Sequence, residues 1–509
     1  MGKIFFLFNI VADLVIAIIF SIYYQKLSVS CLHILQLEVY DSDKYMKWVE
    51  KNRSMLGKKL KEEKTPLVWT DRAKRLYDTH KNILLLLVAD AIIIEILLVK
   101  YTKVRYAVIV YLCILFVVYF KMPKIMKMSN NINRPREEKI NMGFYNQAMA
   151  KIKDLKSKGL TVVGITGSFG KTSTKFMLET ILKEKFNALT TPGSYNTPMG
   201  LSKVINNDLN ESVEVFIAEL GAEKIGEIEE VATLVQPSVG IITAIGPTHM
   251  HLFKTIENIQ KTKYELIEAL DEDGISIFNY DNEYVKPLAD RERVKTIRYG
   301  IEKNDKLNVY AENIEVYERG SKFTLHAGGE SIECTTKVLG KHNISNLLAA
   351  ASCALELGLT LEEIRRGIGK VEPVEHRLNL VDNGNGIIVI DDAFNSNPVG
   401  ARAALDVLSN FKEGRKIVIT PGMVELGDME EEANYTFGKE LAEVCDFVIL
   451  VGKKRTLPIQ KGLKGANFPE EGLFVAGTLT EATEILGHLS RPKDVVLFEN
   501  DLPDNYSEE

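Results

Sequence analysis

The sequence predicts an α/β fold class: a mostly parallel sheet covered by helices and preceded by an apolar helical front. Three observations predict it. Apolar residues are concentrated before residue 122, strand-like and helical periods alternate from Thr161 onward, and a glycine-rich loop separates a buried strand from a helix start. Alternating strands and helices are typical of parallel sheets with helices on their faces. At about 150 residues per domain, 509 residues correspond to roughly three domains.

The overall composition is that of a folded protein. Hydrophobic residues make up 46% and charged residues 26%, which excludes a disordered or collagen-like chain. The net charge of -6 offers no general attraction for polyanions, so nucleic acid is not predicted as a partner. The five cysteines are scattered and show no CxxC spacing. This pattern favours a reducing compartment over a disulfide framework or a zinc site.

Three long apolar segments precede residue 122. Residues 4–24 are almost continuously apolar, and residues 83–99 and 104–120 form a pair separated by a short basic turn. Because segments of this length cross a hydrocarbon core of about 30 Å, we predict a membrane anchor of about three transmembrane helices in residues 1–130. A cleaved signal peptide is the alternative for the first segment, but no small-residue cleavage site follows it.

Basic residues flank these segments and predict their orientation. Lysine and arginine are frequent between residues 44 and 75 and again between residues 121 and 136. The positive-inside rule places both stretches in the cytoplasm. The expectation is a multi-pass protein of the cell membrane with its catalytic domains in the cytoplasm. Asp90 and Glu95 lie inside the second segment, where a carboxylate is either functional or directed at a neighbouring helix.

The most specific motif follows a predicted strand at residues 161–166. It reads GSFGKTS and leads into a helical period, which is the position of a phosphate-binding loop. Glycines let backbone N–H groups approach phosphate oxygens, the lysine reaches the β and γ phosphates, and the next hydroxyl can bind Mg²⁺. The predicted ATP site comprises Gly167, Ser168, Gly170, Lys171, Thr172 and Ser173.

Two further candidates follow buried strands. Glu219 ends the apolar strand at residues 213–218, so its carboxylate is expected at the carboxyl edge of the sheet, where α/β folds bind ligands. It is a candidate Mg²⁺ ligand, and the alternative is a capping or surface carboxylate. His249 follows the predicted strand at residues 241–245. Taken alone, it would be interpreted as a structural histidine.

More motifs follow the loop along the chain. They are TPGSYNTPMG at 191–200, FIAELG at 216–221, IGPTHM at 245–250, KYE at 263–265, GKHNISN at 340–346 and DDAFNSNP at 391–398. With the loop, they cover about residues 158–430 and resemble the ATP-dependent Mur ligases of cell-wall synthesis. Their order is most similar to the MurF branch of that family, which adds D-alanyl-D-alanine to a UDP-muramoyl peptide.

The resemblance implies roles that the residues do not indicate by themselves. His249 would bind a second Mg²⁺. Lys263 matches a lysine that the family converts to a carbamate with CO₂, which turns a cation into a metal-binding anion. Asn343 and Asn346 would contact the adenine.

The resemblance also implies roles around the second half of the chain. Arg377 would neutralise phosphate charge, and Asp392, or alternatively Asp391, would hold the ribose or a magnesium ion. The family's contacts with substrate correspond here to Asn196, Thr197, Asn395 and Asn397.

The implied domain organisation departs from the family at both ends. A central ATP-binding domain is expected at residues 131–375 and a C-terminal Rossmann-like domain at residues 376–509. Family members normally open with a soluble domain that binds the UDP-sugar, a position occupied here by the predicted anchor. The family's KGSR-like segment near the end is replaced by Phe498 and the residues after it, among them Glu499.

The implied activity is ATP-dependent, ADP-forming ligation of a carboxylate to an amino acid or dipeptide amine through an acyl phosphate. ATP and two Mg²⁺ would take part, and the carboxylate would belong to a peptidoglycan precursor. A lipid-linked precursor or poly-γ-glutamate is an alternative carboxylate. A P-loop transport ATPase is a different alternative, but no LSGGQ-type signature is present. An inactive scaffold conflicts with the presence of Lys171, Thr172, Glu219, His249 and Lys263.

Overall fold

The computed structural model describes residues 2–58, 65–101, 104–302, 304–382, 384, 386–394, 396–502 and 506. It divides into two compact units, residues up to Met142 and residues from Gly143 to Leu502. The first unit is helical. Its elements are α1 (Gly2–Leu37), α2 (Ser42–Asn52) with a following 3₁₀ turn (Arg53–Met55), α3 (Asp71–Tyr101) and α4 (Val104–Ser157), which runs on past Met142.

The helices of the first unit are longer than the apolar segments that predicted them, because residues beside those segments, among them the basic stretch 121–136, are also helical. Three helical stretches, Val15–Leu37, Asp71–Val99 and Ala107–Ser157, are long and apolar enough to cross a membrane by length and composition alone. Glu95 is buried at 2% exposure, whereas Asp90 is exposed. Glu95 therefore faces the interior of the helical bundle.

Polar side chains connect α1, α3 and α4 within this bundle. The His80 ring on α3 lies between two hydroxyls, with Nε2 2.9 Å from Ser28 Oγ and Nδ1 3.2 Å from Ser129 Oγ. Arg75 donates from Nε and Nη2 to the two carboxylate oxygens of Glu137, both at 2.6 Å. Buried polar groups need such partners, so these contacts define the register of the three helices.

The second unit begins with a nine-stranded sheet of order β2-β3-β1-β4-β5-β6-β7-β8-β9. Strands β1 to β7 pair in parallel, and β8 and β9 add an antiparallel edge. The elements are β1 (Thr161–Thr166), α5 (Lys171–Leu182), β2 (Ala188–Thr190), α6 (Pro198–Asn207), β3 (Val215–Glu219), α7 (Glu227–Val235), β4 (Val239–Ile242), α8 (Met250–Phe253), α9 (Ile256–Glu268), β5 (Ile275–Asn279), α10 (Lys286–Ala289), β6 (Lys295–Gly300), β7 (Val309–Tyr317), β8 (Gly320–Ala327), β9 (Glu330–Thr336), α11 (Lys341–Glu356) and α12 (Leu361–Lys370).

A six-stranded sheet of order β10-β11-β15-β12-β13-β14 completes the second unit. All its pairings are parallel except β10 with β11. The elements are β10 (Asn379–Asp382), β11 (Ile388–Asp392), α13 (Pro398–Ser409), β12 (Lys416–Thr420), a 3₁₀ turn (Gly427–Met429), α14 (Glu430–Val444), β13 (Phe447–Val451), α15 (Leu457–Gly465), a 3₁₀ turn (Glu470–Gly472), β14 (Leu473–Ala476), α16 (Leu479–Leu489) and β15 (Val495–Glu499). The predicted fold class, two mostly parallel sheets after an apolar helical front, is confirmed.

The position of β1 in the first sheet determines where the functional residues meet. Val163 and Ile165 on this strand are fully buried in the core. β1 lies between β3 and β4, with Ile165 opposite Glu219 and Thr166 opposite Ile242. The carboxyl ends of the three strands therefore lie side by side, which is the edge where parallel sheets bind ligands.

Candidate nucleotide and metal site

The loop between β1 and α5 has a backbone that requires glycine at two positions. Gly167 and Gly170 have φ angles of 152° and 83°. A Cβ atom on Gly167 would collide with Thr243 Oγ1, and one on Gly170 would lie 2.5 Å from Asn346 Oδ1. Both glycines thus allow the loop to approach neighbouring elements closely, as a phosphate-binding loop requires.

The residues after β4 hold this loop from one side. Ser168 N donates to Ala244 O at 2.7 Å, and Ser168 Oγ donates to Gly246 O at 3.0 Å. Thr243 Oγ1 donates to Phe169 O at 2.6 Å. Sequence reasoning assigned Thr243 no role, although its position directly after a buried strand was an available signal.

Lys171 begins α5 and folds back over the loop. Its Nζ donates to Gly167 O at 2.9 Å and to Ser168 O at 3.3 Å. Burial lowers the pKa of Lys171, and Arg377 lowers that pKa further, while Glu219 opposes both. The next two residues of the motif differ in exposure, since Ser173 is buried at 8% and Thr172 is partly exposed.

Glu219 is the centre of a buried polar cluster beside the loop. The side chain is 1% exposed and accepts hydrogen bonds from Thr172 Oγ1 at 3.0 Å and Asn196 Nδ2 at 3.2 Å. Lys175 Nζ lies 3.2 Å from its Oε2 atom. Burial alone would raise the pKa of Glu219, but Lys171 and Lys175 outweigh it and hold that pKa below its usual value.

Lys175 is the functional candidate that sequence reasoning missed. It lies four residues after Lys171, and residues with this spacing share one face of a helix. Since Lys171 was already assigned to the site, this spacing was a usable signal. The pairing of Lys175 with Glu219 could not be predicted from the sequence, because it depends on how β3 packs beside α5.

Lys263 lies on α9 and is buried, with 3% of its side chain exposed. Burial and then the charge of Lys171 lower the pKa of Lys263 to about 7, against the opposing charges of Glu265 and Glu227. Glu265 also has a structural task at the start of α7, where its carboxylate accepts from Gly226 N at 2.8 Å and Glu229 N at 3.1 Å. A large fraction of Lys263 is therefore the neutral amine near pH 7.

His249 contacts Glu425, a residue of the chain segment that contains the second sheet. Its Nδ1 atom lies 2.7 Å from Glu425 Oε2. Both residues have left-handed backbones, with φ angles of 49° and 67°. The neighbouring His251 Nδ1 lies 3.2 Å from Glu425 O. This contact joins the segment after β4 to the segment after β12.

The donor atoms near the loop fit one Mg²⁺ ion bound together with phosphates. Among the residues that the structure describes, no group of three or more His, Cys, Asp or Glu side chains is arranged as a metal site. Mg²⁺ in phosphate sites is usually held by one or two carboxylates, waters and substrate oxygens. The Thr172 hydroxyl and the Glu219 carboxylate, 3.0 Å apart, provide such a set.

Asn343 and Asn346 are structural in the arrangement observed. Asn343 Nδ2 donates to Leu339 O at 2.9 Å, and Asn346 Nδ2 donates to Asn343 Oδ1 at 3.2 Å. Thr174 Oγ1 on α5 donates to Asn346 Oδ1 at 3.3 Å. Both asparagines are buried, so they connect α11 to the loop helix. Their contact with adenine stays a prediction.

The predicted substrate residues also make local contacts. Thr197 caps α6 by accepting from Gly200 N at 3.2 Å, and Asn196 donates to Glu219. Asn397 caps α13 by accepting from Val399 N at 3.1 Å and from Gly400 N at 3.0 Å. Asn395 lies outside the described residues. Substrate contact by these four residues stays a prediction.

Arg377 extends the cationic side of the site. Its guanidinium carbon lies 4.1 Å from the centre of the Phe394 ring. Burial lowers the pKa of Arg377, while Asp392 and Glu219 oppose that effect. Asp391, the alternative to Asp392, is already engaged, because His376 Nδ1 lies 2.7 Å from Asp391 Oδ2.

Asp392 and Glu499 form a pair of carboxyl groups at the ends of β11 and β15, where they lie opposite each other. Ser396 Oγ donates to Glu499 Oε1 at 2.6 Å, and Leu378 N donates to Asp392 Oδ1 at 3.1 Å. Burial raises the pKa of Asp392 to about 6, although Arg377 opposes it. Burial and then the charge of Asp392 raise the pKa of Glu499 well above its usual value.

Comparisons with known proteins identify the family. One family model, described as the Mur ligase middle domain, matches residues 165–354, and another, described as the Mur ligase glutamate ligase domain, matches residues 376–499. Together they cover more than half of the chain, and the predicted resemblance to Mur ligases is confirmed. A crystal structure of MurF from Acinetobacter baumannii has a TM-score of 0.65 at 26% identity, covering 72% of this chain and 78% of that one.

Two curated relatives are similar over the same region. UDP-N-acetylmuramoyl-tripeptide–D-alanyl-D-alanine ligase of Buchnera aphidicola is 34% identical over 268 residues, which are 52% of this chain and 57% of the relative. The ligase of that name from Bacillus subtilis is 31% identical over 318 residues, 61% of this chain and 66% of the relative. The chain thus spans between half and two thirds of the length of these relatives.

The predicted multi-pass location in the cell membrane is wrong. The MurF relatives that the chain matches are soluble cytoplasmic enzymes, and apolar helices alone are no evidence of membrane insertion. The physical reason for the error is that length and apolar composition measure only the capacity of a helix to cross a bilayer. A helix that packs against other helices needs apolar residues as well.

Proposed function

Because this chain belongs to the Mur ligase family, we propose that it is an ATP-dependent, ADP-forming ligase that joins a carboxylate to an amine in the synthesis of a cell-wall peptide precursor. One observation supports this most directly. The glycine loop and Lys171 lie at the end of β1, beside the paired Thr172 hydroxyl and Glu219 carboxylate. A phosphate-binding loop next to an acidic Mg²⁺ ligand is what phosphoryl transfer from ATP requires.

The proposed substrates are UDP-N-acetylmuramoyl-tripeptide and D-alanyl-D-alanine. The support is the shared name of the relatives from Buchnera aphidicola and Bacillus subtilis, together with the fold of the Acinetobacter baumannii structure. These similarities cover the two ligase domains. Residues 1–130 lie outside the two family matches, so the part that would bind the UDP-sugar has no counterpart among them.

The chemistry follows from the weakness of a carboxylate as an electrophile. Transfer of the γ-phosphoryl group to the carboxylate oxygen gives an acyl phosphate and ADP; attack by the amine then expels phosphate and forms the amide. Lys171 and Arg377 would offset the charge of the phosphoryl group. Thr172 and Glu219 would hold Mg²⁺, which neutralises phosphate charge when bound. The remaining task of the chain is positioning, for which no side-chain nucleophile is needed.

We further propose that Lys263 is carbamylated. Its neutral amine would attack CO₂, forming an N–C bond and releasing one proton to solvent, and the product is an anion. The support is the buried position of Lys263 and a pKa lowered to about 7, which favours the neutral amine that this reaction requires. Binding of a second Mg²⁺ by this anion and by His249 belongs to the same proposal.

Carbamylation is testable by ¹³C NMR with ¹³C-bicarbonate. A carbamate signal is expected in the wild type, growing from pH 6 to pH 8 as the amine loses its proton. The Lys263→Arg variant keeps the positive charge but cannot form the carbamate, so its spectrum should lack the signal. An identical signal in both proteins would assign it to another amine and contradict the proposal.

The proposed ligase activity is tested with the purified full-length chain, ATP and MgCl₂. Phosphate release should require both UDP-N-acetylmuramoyl-tripeptide and D-alanyl-D-alanine, and mass spectrometry should detect the amide product. If that pair gives nothing while another carboxylate and amine give product, the substrate assignment is wrong. If ATP hydrolysis never depends on any such pair, the ligase proposal itself fails.

A further inference from the structure

Lys175 is a fully buried lysine whose ammonium group contacts three different segments. Its side chain is 0% exposed. The Nζ atom lies 3.2 Å from Glu219 Oε2 at the end of β3, and donates to Thr191 Oγ1 at 3.1 Å and Gly193 O at 2.6 Å. A lysine ammonium has three N–H donors, and three acceptors surround this one. Burial of a charge is costly unless it is paired and hydrogen-bonded, so this site is built around the cation.

The partners of Lys175 converge on the carboxylate that we assign to Mg²⁺. Glu219 Oε2 receives Lys175 on one side and the Thr172 hydroxyl on the other. Thr191 and Gly193 begin the segment that leads to Asn196, and Asn196 Nδ2 donates to Glu219 Oε1 at 3.2 Å. The ammonium therefore holds the carboxylate directly and also anchors the segment that holds its other oxygen.

We propose that Lys175 is a positioning residue for magnesium-dependent nucleotide binding, because it fixes the orientation of the Glu219 carboxylate. The inference rests on the proposed function, since it takes Glu219 as the Mg²⁺ ligand. Groups that hydrogen-bond to a metal ligand orient it, and their loss typically costs roughly tenfold to a hundredfold in metal affinity or activity. Lys175 belongs to this class rather than to the catalytic residues, because it reaches the nucleotide only through Glu219.

The rival explanation is that Lys175 serves folding alone, as a counter-ion for a buried acid. The two roles differ in what they predict for ADP binding with and without MgCl₂, measured by isothermal titration calorimetry on the full-length chain. If the role of Lys175 is purely structural, substituting it should change thermal stability but not the increase in ADP affinity that MgCl₂ causes. If Lys175 is a positioning residue, substituting it should reduce that increase.

Lys175→Met removes the charge and keeps the length of the side chain. We expect ADP affinity without MgCl₂ to stay close to the wild-type value, and the gain from MgCl₂ to fall by roughly tenfold or more. Lys175→Arg retains a cation and should recover part of the gain. The matched control is Lys183→Met at the residue that directly follows α5, where an exposed lysine pairs with Glu179 at 2.9 Å. This control should bind ADP as the wild type does under both conditions.

A double-variant comparison makes the inference falsifiable even where Lys175→Met unfolds. Glu219→Gln should reduce the gain from MgCl₂ by roughly tenfold or more and leave a measurable remainder, and Lys175→Met/Glu219→Gln, which replaces the ion pair by neutral groups, should keep that same remainder. A wild-type gain from MgCl₂ in folded Lys175→Met, or a further loss in the double variant, overturns the positioning role. If the positioning role is overturned but the wild type still releases phosphate, the proposed function stands. If MgCl₂ fails to strengthen ADP binding even in the wild type, both the positioning role and the proposed function fail.

Discussion

Two buried carboxyl groups end parallel strands in this protein, and their surroundings have opposite effects on them. Glu219 ends β3 and Glu499 ends β15, and each is 1% exposed. Lys171 and Lys175 hold the pKa of Glu219 below its usual value despite burial. Burial and Asp392 raise the pKa of Glu499 well above the usual value. The same position in a sheet thus stabilises an anion in one domain and a protonated acid in the other.

The opposite pKa shifts of Glu219 and Glu499 show that burial alone does not determine the charge of a carboxyl group in this molecule. Desolvation acts in the same direction at both strand ends, and the nearest partner determines the outcome. Glu219 has cations from α5, a helix that begins at the phosphate-binding loop. Glu499 has a second acid and a serine hydroxyl. The first arrangement suits a metal ligand, and the second suits a shared proton.

Removing the loop cation should have the largest effect. In Lys171→Ala, we expect substrate-dependent phosphate release to fall by roughly a hundredfold or more, because one positive charge that offsets the phosphoryl group is lost. Steady-state phosphate release measures this change. Lys183→Ala, at the exposed residue directly after the helix that Lys171 begins, is the control. A rate within threefold of the wild type for Lys171→Ala would refute the assigned site.

Neutralising the acid at the second strand end should have an intermediate effect that depends on pH. Acids whose pKa is raised by folding bind protons more tightly in the folded state, so stability is present at low pH and is lost as pH rises from their unfolded pKa through the folded one. For Asp392, this loss of stability is complete only at pH values above its raised pKa of about 6. In Glu499→Gln the acid whose pKa is raised well above its usual value no longer titrates, so the variant should gain stability relative to the wild type as pH rises.

This relative gain should develop between about pH 5 and about pH 7.5, as the wild type loses the stabilisation from its raised acids. Differential scanning calorimetry of both proteins over this range measures it. A difference between variant and wild type that is constant with pH would show that the two acids do not interact as described.

Removing two helix caps should have the smallest effect; each cap directly follows a residue that donates to one of the two carboxyl groups, Asn196 to Glu219 and Ser396 to Glu499. Thr197→Ala and Asn397→Ala each remove a side-chain acceptor from a helix N-terminus, which typically costs about 1 kcal/mol. Urea denaturation measures the loss. The KM values for the carboxylate and the amine distinguish a cap from a substrate contact, since a tenfold rise in KM without a matching change in stability would favour the predicted substrate role.

The sequence could predict the parts of the site that depend on local order. A strand, a glycine loop and a helix start are contiguous, so Lys171 and Thr172 were identifiable, and Glu219 was identifiable because it ends an apolar strand. The pairs Lys175 with Glu219, His249 with Glu425, and Asp392 with Glu499 join separate elements, so they depend on packing. The contact of Asn346 with Thr174 also depends on packing, because it joins α11 to α5.

The contact between His249 and Glu425 has a thermodynamic consequence. His249 follows the first sheet's strand β4, and Glu425 belongs to the loop after β12 of the second sheet. Any ligand that takes the place of Glu425 at His249 Nδ1 competes with a contact between the two ligase domains. Linkage is reciprocal, so the factor by which this contact weakens the ligand's binding is the factor by which the ligand weakens the contact. Binding of a ligand at His249 Nδ1 is therefore coupled to breaking the contact between His249 and Glu425.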